Sequence, residues 1–170
     1  TRGAFFTRGT TKDEWARYTE EGRPYVENMQ RLLRKIETAK RLVPAPLRRD
    51  AKEPTKFGVI YFGSTALAME EALEALEARS IHLDTLRIRA FPFHDEVLDF
   101  IASHERVFVV EQNRDSQMRS LLTIEGEIDP ARLVPILHYD GTPITARFIV
   151  KAIADMLAVV TLAPLKKALP

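Results

Sequence analysis

The residues whose types and spacing could do chemistry collect where apolar runs end. The run RVFVV (106–110) closes in Glu111-Gln112-Asn113-Arg114, which places a carboxylate, two amides and a guanidinium at one point, enough to hydrogen-bond a ligand or an interface loop. Polar groups at the carboxyl end of an apolar strand are what open α/β sheets present to ligands. The same residues would serve equally as a polar loop in which Asn113 or Asp115 caps the next helix. Gly63-Ser64, after the run FGVIYF, could offer backbone N–H groups to an anion at a helix N-terminus. It belongs to neither G-x-G-x-x-G nor G-x-x-x-x-G-K-[ST], no lysine follows, and the next helix is acidic, so a plain turn with a serine cap is the favoured reading. Asp140-Gly141 ends a further run and reads as a turn before a helix. Arg2, Arg8, Lys12, Asp13 and Glu14 form a charged cluster in a glycine-rich arm, which could line an active site on a neighbouring domain or be a mobile terminus.

Other chemistries find no pattern here. His82, His94, His104 and His138 lie on separate elements with no i,i+4 pair or carboxylate at ligand spacing, so no metal site is assigned. There is no cysteine, which excludes disulfides and cysteine-ligated zinc or iron–sulfur clusters within these residues. No G-x-S-x-G elbow exists, and no residue is assigned as catalytic.

The elements that would position these loops follow from hydrophobic period. Residues 57–63 read as a strand, followed by a helix that Ser64 or Thr65 can cap, with Met69, Ala72, Leu73 and Leu76 facing a core. Strands at 82–90, 106–112 and 132–139 alternate with helices at 93–103, 116–124 and 143–157, Pro143 suiting the first position of the last helix, with Met118, Leu121 and Leu122 in the core. Strand–helix alternation with short connections predicts a three-layer α/β/α sandwich with a mainly parallel sheet. Upstream, 1–24 read as an irregular arm and 25–42 as an amphipathic helix with Val26, Met29, Leu33 and Ile36 on one stripe. Residues 43–56, holding three prolines, read as a linker, which divides the chain into 1–56 (arm, helix and linker) and 57–170 (the α/β/α domain).

Composition narrows the classes. The 170 residues are 45% hydrophobic, enough for one core plus an extension. No apolar run approaches the roughly 20 residues of a membrane span and no secretory signal is evident, so a cytoplasmic protein without a membrane partner is expected. Residues 1–50 carry 12 Lys/Arg against 7 Asp/Glu, and 51–170 carry 13 against 17. The basic residues are interleaved with Met29, Leu32, Leu33 and Ile36 at helical spacing, a solvated helix face and not a nucleic-acid site.

Four segments in order, RGAFFTRGTTKDEWARYTE, NMQRLLRKIETAKRLVPAP, VFVVEQNRDSQMRSLL and ILHYDGTPITARFIVKAI, give the chain a family resemblance over about residues 1–153. Together they resemble the C-terminal part of the α subunit of 2-oxoacid:ferredoxin oxidoreductases, especially the 2-oxoglutarate type. The resemblance implies a thiamine-diphosphate enzyme that oxidatively decarboxylates a 2-oxoacid to an acyl-CoA and passes electrons through iron–sulfur clusters to ferredoxin. It also implies that 1–56 are the tail of the pyrimidine-side domain, that 57–170 form a domain like the transketolase C-terminal domain, and that the chain is shorter than the whole subunit. The family's diphosphate–Mg²⁺ motif, Gly-Asp-Gly followed by paired asparagines, is absent, Asn28 and Asn113 being the two asparagines. Thiamine diphosphate, Mg²⁺ and the iron–sulfur cluster are therefore expected in the partner β subunit, with coenzyme A and ferredoxin met through the complex. In the arm the family pattern Arg-Gly-Thr-Gly-His-Asp-Glu is replaced by Arg8-Gly9-Thr10-Thr11-Lys12-Asp13-Glu14, so the histidine's role does not carry over. Arg8 and Lys12 remain candidates for the substrate-pocket arm, and the resemblance implies that the family's substrate-carboxylate contacts fall mostly upstream of Thr1, so none is assigned here. Gly63, Ser64, Glu111, Gln112, Asn113, Asp140 and Gly141 are the candidates for ligand, cofactor or subunit contacts. The alternative is an independent small-ligand or nucleotide-binding α/β module using the same loops.

Overall fold

The computed structural model describes residues 11–162. The chain divides into two compact units between Val43 and Pro44.

In the first unit, the Asp13 carboxylate accepts from the Trp15 and Arg17 N–H groups at 2.9 and 2.8 Å, folding a turn that a bridge between Lys12 and Tyr18 closes. Helix α1 (Gly22–Lys40) follows, and its Asn28 amide donates to the Lys12 carbonyl at 2.6 Å. The predicted apolar stripe is present, but Val26, Met29, Leu33 and Ile36 are all exposed and no residue of α1 is buried.

The second unit holds strands β1 (Leu47–Arg49), β2 (Phe57–Phe62), β3 (Asp84–Ile88), β4 (Arg106–Glu111) and β5 (Leu133–Leu137). Its helices are α2 (Thr65–Glu77), α3 (Asp95–Ala102), α4 (Gln117–Gly126) and α5 (Ala146–Leu162). The sheet runs β1-β3-β2-β4-β5, parallel throughout except for β1, which pairs antiparallel with β3. The central strands β2 and β4 are buried on both faces, which is why they read as continuous apolar runs and not as alternating ones.

The pleat sends Val59, Tyr61, Phe108 and Val110 to one face, where Met69 and Leu76 of α2 and Ile149 and Ile153 of α5 cover them. Ile60, Val107 and Val109 go to the other, under Phe100 and Ile101 of α3 and Leu122 of α4. The result is the three-layer α/β/α sandwich with a mainly parallel sheet that the alternation predicts. Each fully buried Phe or Leu in it contributes about 1.5–3 kcal/mol.

The structure departs from the sequence reading at four places. Leu47–Arg49, expected in a linker, form the edge strand β1 instead; all three are exposed, so no apolar alternation marks them, and their pairing is with a strand far along the chain. Helix α5 starts at Ala146 and not at Pro143: the Asp140 carboxylate holds the Thr142 N–H and hydroxyl at 2.8 and 2.7 Å, prolonging the turn, and the Thr145 hydroxyl accepts from the Phe148 N–H at 3.2 Å. Ser64 occupies the cap position of α2, yet its side chain makes no cap bond. Met118 and Leu121 are only partly buried, leaving Leu122 as the core residue of α4.

Candidate functional site

The strand order fixes where a ligand crevice must lie. From β2 the chain crosses to β3 on one side and next returns to β4 on the other, so α2 and α4 depart on opposite faces and a gap opens beyond the carboxyl ends of β2 and β4. Gly63-Ser64 and Gln112-Asn113 stand at that gap. Gly63 has φ +57°, a left-handed conformation that glycine adopts without steric cost and that turns the chain sharply from β2 into α2.

Gln112 bridges the gap: its Nε2 donates to the Ser64 and Thr65 hydroxyls, both at 3.1 Å. Two clefts flank this bridge. One, of about 390 Å³, is lined by Gly63, Ser64, Gln112 and Asn113 with Gln117, Met118 and Leu121 of α4. The other, of about 630 Å³, lies between Ser64, Gln112 and residues 143–147, and includes Arg147. Both volumes fall in the range of small-molecule sites.

Glu111 is fully buried and serves the fold. Its carboxylate accepts from the Met118 N–H at 2.7 Å, the Arg119 N–H at 3.0 Å and the Asn113 amide at 2.7 Å. It therefore caps α4 from the preceding strand, matching a negative charge to the positive end of the helix. Asn113 Oδ1 accepts from the Asp115 and Gln117 N–H groups at 3.1 and 3.2 Å, the capping role the sequence allows. Arg114 is exposed and pairs with Asp115.

Asp140 and Gly141 occupy a neighbouring loop and line neither cleft. The Thr142 backbone N–H and then its hydroxyl, with His138 3.4 Å away, hold the Asp140 carboxyl below the usual aspartate range. His138 is buried edge-on against Phe148 at 4.8 Å. Lys12 lies in the first unit, beside Asn28 in a groove that also contains Asp13, Trp15 and Arg23. Arg8 lies outside the described residues.

The structure thus brings together Gly63, Ser64, Gln112 and Asn113, buries Glu111 beneath them, and leaves Asp140 and Gly141 outside both clefts; Lys12 belongs to the first unit. Gln117 and Arg147, which the sequence does not single out, join the clefts, as does Thr65, which the sequence offers only as a helix cap. Only the strand order brings them together.

The crevice presents hydrogen-bonding groups. The partner of the Ser64 hydroxyl is an amide, which cannot take a proton as a general base does. Among the described residues no group of three or more His, Asp or Glu side chains could hold a metal ion. No described helix is long and apolar enough to cross a membrane.

Comparison with solved structures defines the class of fold. The chain overlays 2-oxoglutarate:ferredoxin oxidoreductase from Magnetococcus marinus, solved with 2-oxoglutarate, coenzyme A and succinyl-CoA bound, with a TM-score of 0.77 and 18% identity over 89% of its length. It overlays a split-gene transketolase, an inactive β4 tetramer, with a TM-score of 0.52 and 21% identity over 66% of its length. The fold is that of the transketolase C-terminal-like domain. The chain spans 26% of the oxidoreductase chain and 41% of the transketolase chain. No family model matches it, and no curated protein matches it by sequence.

Proposed function

We propose that this chain is a C-terminal segment of the α subunit of a thiamine-diphosphate-dependent 2-oxoacid:ferredoxin oxidoreductase. That enzyme decarboxylates a 2-oxoacid such as 2-oxoglutarate oxidatively to an acyl-CoA, with ferredoxin as electron acceptor. In this reading 57–170 are the transketolase C-terminal-like domain and 1–56 the tail of the pyrimidine-side domain. The segment serves assembly and shapes the cleft. Thiamine diphosphate, Mg²⁺ and the iron–sulfur cluster belong to a partner β subunit, and the complex is cytoplasmic. Arg8 and Lys12 are the candidate substrate-pocket residues of the arm. The observation that carries the reading is the overlay on an oxidoreductase chain across 89% of this one, joined to the four sequence segments that resemble the α subunit in the same order.

The test is affinity purification of the full-length gene product from native extract, followed by mass spectrometry and a visible spectrum. A co-purifying subunit with bound thiamine diphosphate and iron–sulfur absorbance is the expected result. A colourless product without a partner overturns it and favours an independent small-ligand module, for which the crevice at Gln112 is the supporting feature.

A further inference from the structure

A third cleft, of about 440 Å³, opens on the α2 side of the sheet near its β1 edge. Its floor is dictated by register. Across three strands, Leu47, Arg87 and Tyr61 stand in one row, and Arg49, Thr85 and Val59 in the next, all on one face because side chains alternate along a strand. Leu67, Glu70 and Leu73 of α2 form the wall. Arg48, between the two rows, turns to the opposite face, where its guanidinium lies 5.6 Å from the centre of the Phe100 ring.

The charges in this cleft are incompletely matched. Among the described residues the Arg87 guanidinium makes no hydrogen bond or ion pair, and its Nε is shut off from solvent without a partner. A buried donor left in that state is costly, and the Arg87 side chain that carries it lines the cleft. Among the described residues the Arg49 guanidinium pairs with Glu77 alone, at 3.7 Å, and Glu77 is already held by Lys52 at 2.7 Å. Burial, and then Glu70, push the Tyr61 phenol up, and Glu70, Arg49 and Arg87 line the same cleft as Tyr61.

Arg48 also lines the cleft, but its guanidinium is paired with Asp50 at 2.7 Å, so Arg49, Arg87 and Glu70 leave a single positive charge, beside apolar walls of Leu47, Leu67 and Leu73. We propose that this cleft binds a small organic monocarboxylate with an apolar body, the carboxylate seated on Arg87 and Arg49. The guanidinium fork of Arg87 matches a carboxylate geometrically. Glu70 selects against a dianion such as phosphate, which would bring two negative charges beside its own. The site is distinct from the two clefts at Gln112, sharing Gly63 with one and Leu67 with the other.

The probes are isobutyrate, its neutral isostere isobutyramide, and inorganic phosphate, titrated into the full chain by nitrogen-edited NMR. Isobutyrate should shift the signals of Tyr61, Thr85 and Arg87, isobutyramide should not, and phosphate should bind more weakly. Arg87→Met keeps the apolar stem and removes the fork; it should weaken isobutyrate roughly ten- to a hundredfold, as loss of a charge-assisted pair does. The same variant should melt no lower than the parent, because no internal partner is lost, so loss of binding cannot be ascribed to unfolding. Arg49→Met supplies a second reading with the same expected direction. Absence of isobutyrate binding, binding unchanged in Arg87→Met, or phosphate binding more tightly than isobutyrate would each overturn the proposal.

Discussion

Glu111 and Gln112 are adjacent in sequence, similar in size and polarity, and opposite in role. The pleat sends them to different sides of the last strand position: Glu111 inward beneath α4, Gln112 out across the gap to Ser64 and Thr65. Removing the Glu111 carboxylate strands the Met118 and Arg119 N–H groups and the Asn113 amide together. Each orphaned buried donor costs about 1–3 kcal/mol. Loss of a helix cap typically costs about 1 kcal/mol. Because the donors share one acceptor and regain some water, Glu111→Ala should lose about 3 kcal/mol in urea unfolding. Gln112→Ala, at an exposed position, should lose less than about 0.5 kcal/mol. Equal losses would mean that Gln112 too is a fold residue and that the crevice has no side chain to spare for a ligand. From the sequence the whole Glu-Gln-Asn run was visible as a polar strand end, but not this division within it. Which residue turns inward depends on the register of β4 against β5 and on where α4 docks, neither of which is local information.

Among the elements, β2 to α5 were legible because each carries its own period: continuous apolar runs for strands covered on both faces, and spaced apolar residues for the helices. The edge strand β1 was not, since a three-residue exposed segment among prolines has no pattern to read, and only its partner β3 makes it a strand. Glycine pattern hid another packing requirement. Gly58 in β2 looks like an ordinary weak point of a strand, yet a Cβ built there would stand 2.7 Å from the Phe100 ring, which is fully buried in α3. The ring packs directly on the backbone of β2, so Gly58 sets how closely α3 approaches the sheet. Phe100 also lies 4.4 Å from the His104 ring, and His104 Nε2 is 3.1 Å from the Asp84 carboxylate, so displacement of the phenyl group is resisted on that side. Gly58→Ala should therefore destabilise by about 1–3 kcal/mol, the usual cost of overpacking, despite alanine's smaller entropy loss. Pairing it with Phe100→Leu should recover part of the loss, a coupling measurable by a double-mutant cycle. Additive losses would place the clash elsewhere.

For the molecule as a whole, the boundary between its two units is the place where sequence and structure differ most. Proline content suggests that an independent domain begins at Phe57, whereas the compact unit begins at Pro44. The difference is thirteen residues, 44–56, and their contacts are specific. The Ala51 N–H donates to Asp84 at 2.8 Å, the same carboxylate that meets buried His104 through its other oxygen. The Thr55 hydroxyl donates to the His82 carbonyl at 2.7 Å, and Lys52 holds Glu77 at 2.7 Å. Beginning the chain at Phe57 removes these together with the β1 ladder, leaving β3 as an open edge available to other chains. Two fragments separate the possibilities. A fragment of residues 44–162 should unfold cooperatively in urea with the midpoint of the corresponding transition in the full chain. A fragment of 57–162 should lose about 3–5 kcal/mol, from several hydrogen bonds at roughly 1 kcal/mol each and the packing of β1, and should associate at concentrations where the longer one is monomeric. Matching midpoints for the two fragments would make β1 an ornament of the sheet. In that case the cleft floored by Arg49 and Arg87 would lose its claim to a fixed geometry, because the backbone of Arg49 is held by the pairing of β1 with β3.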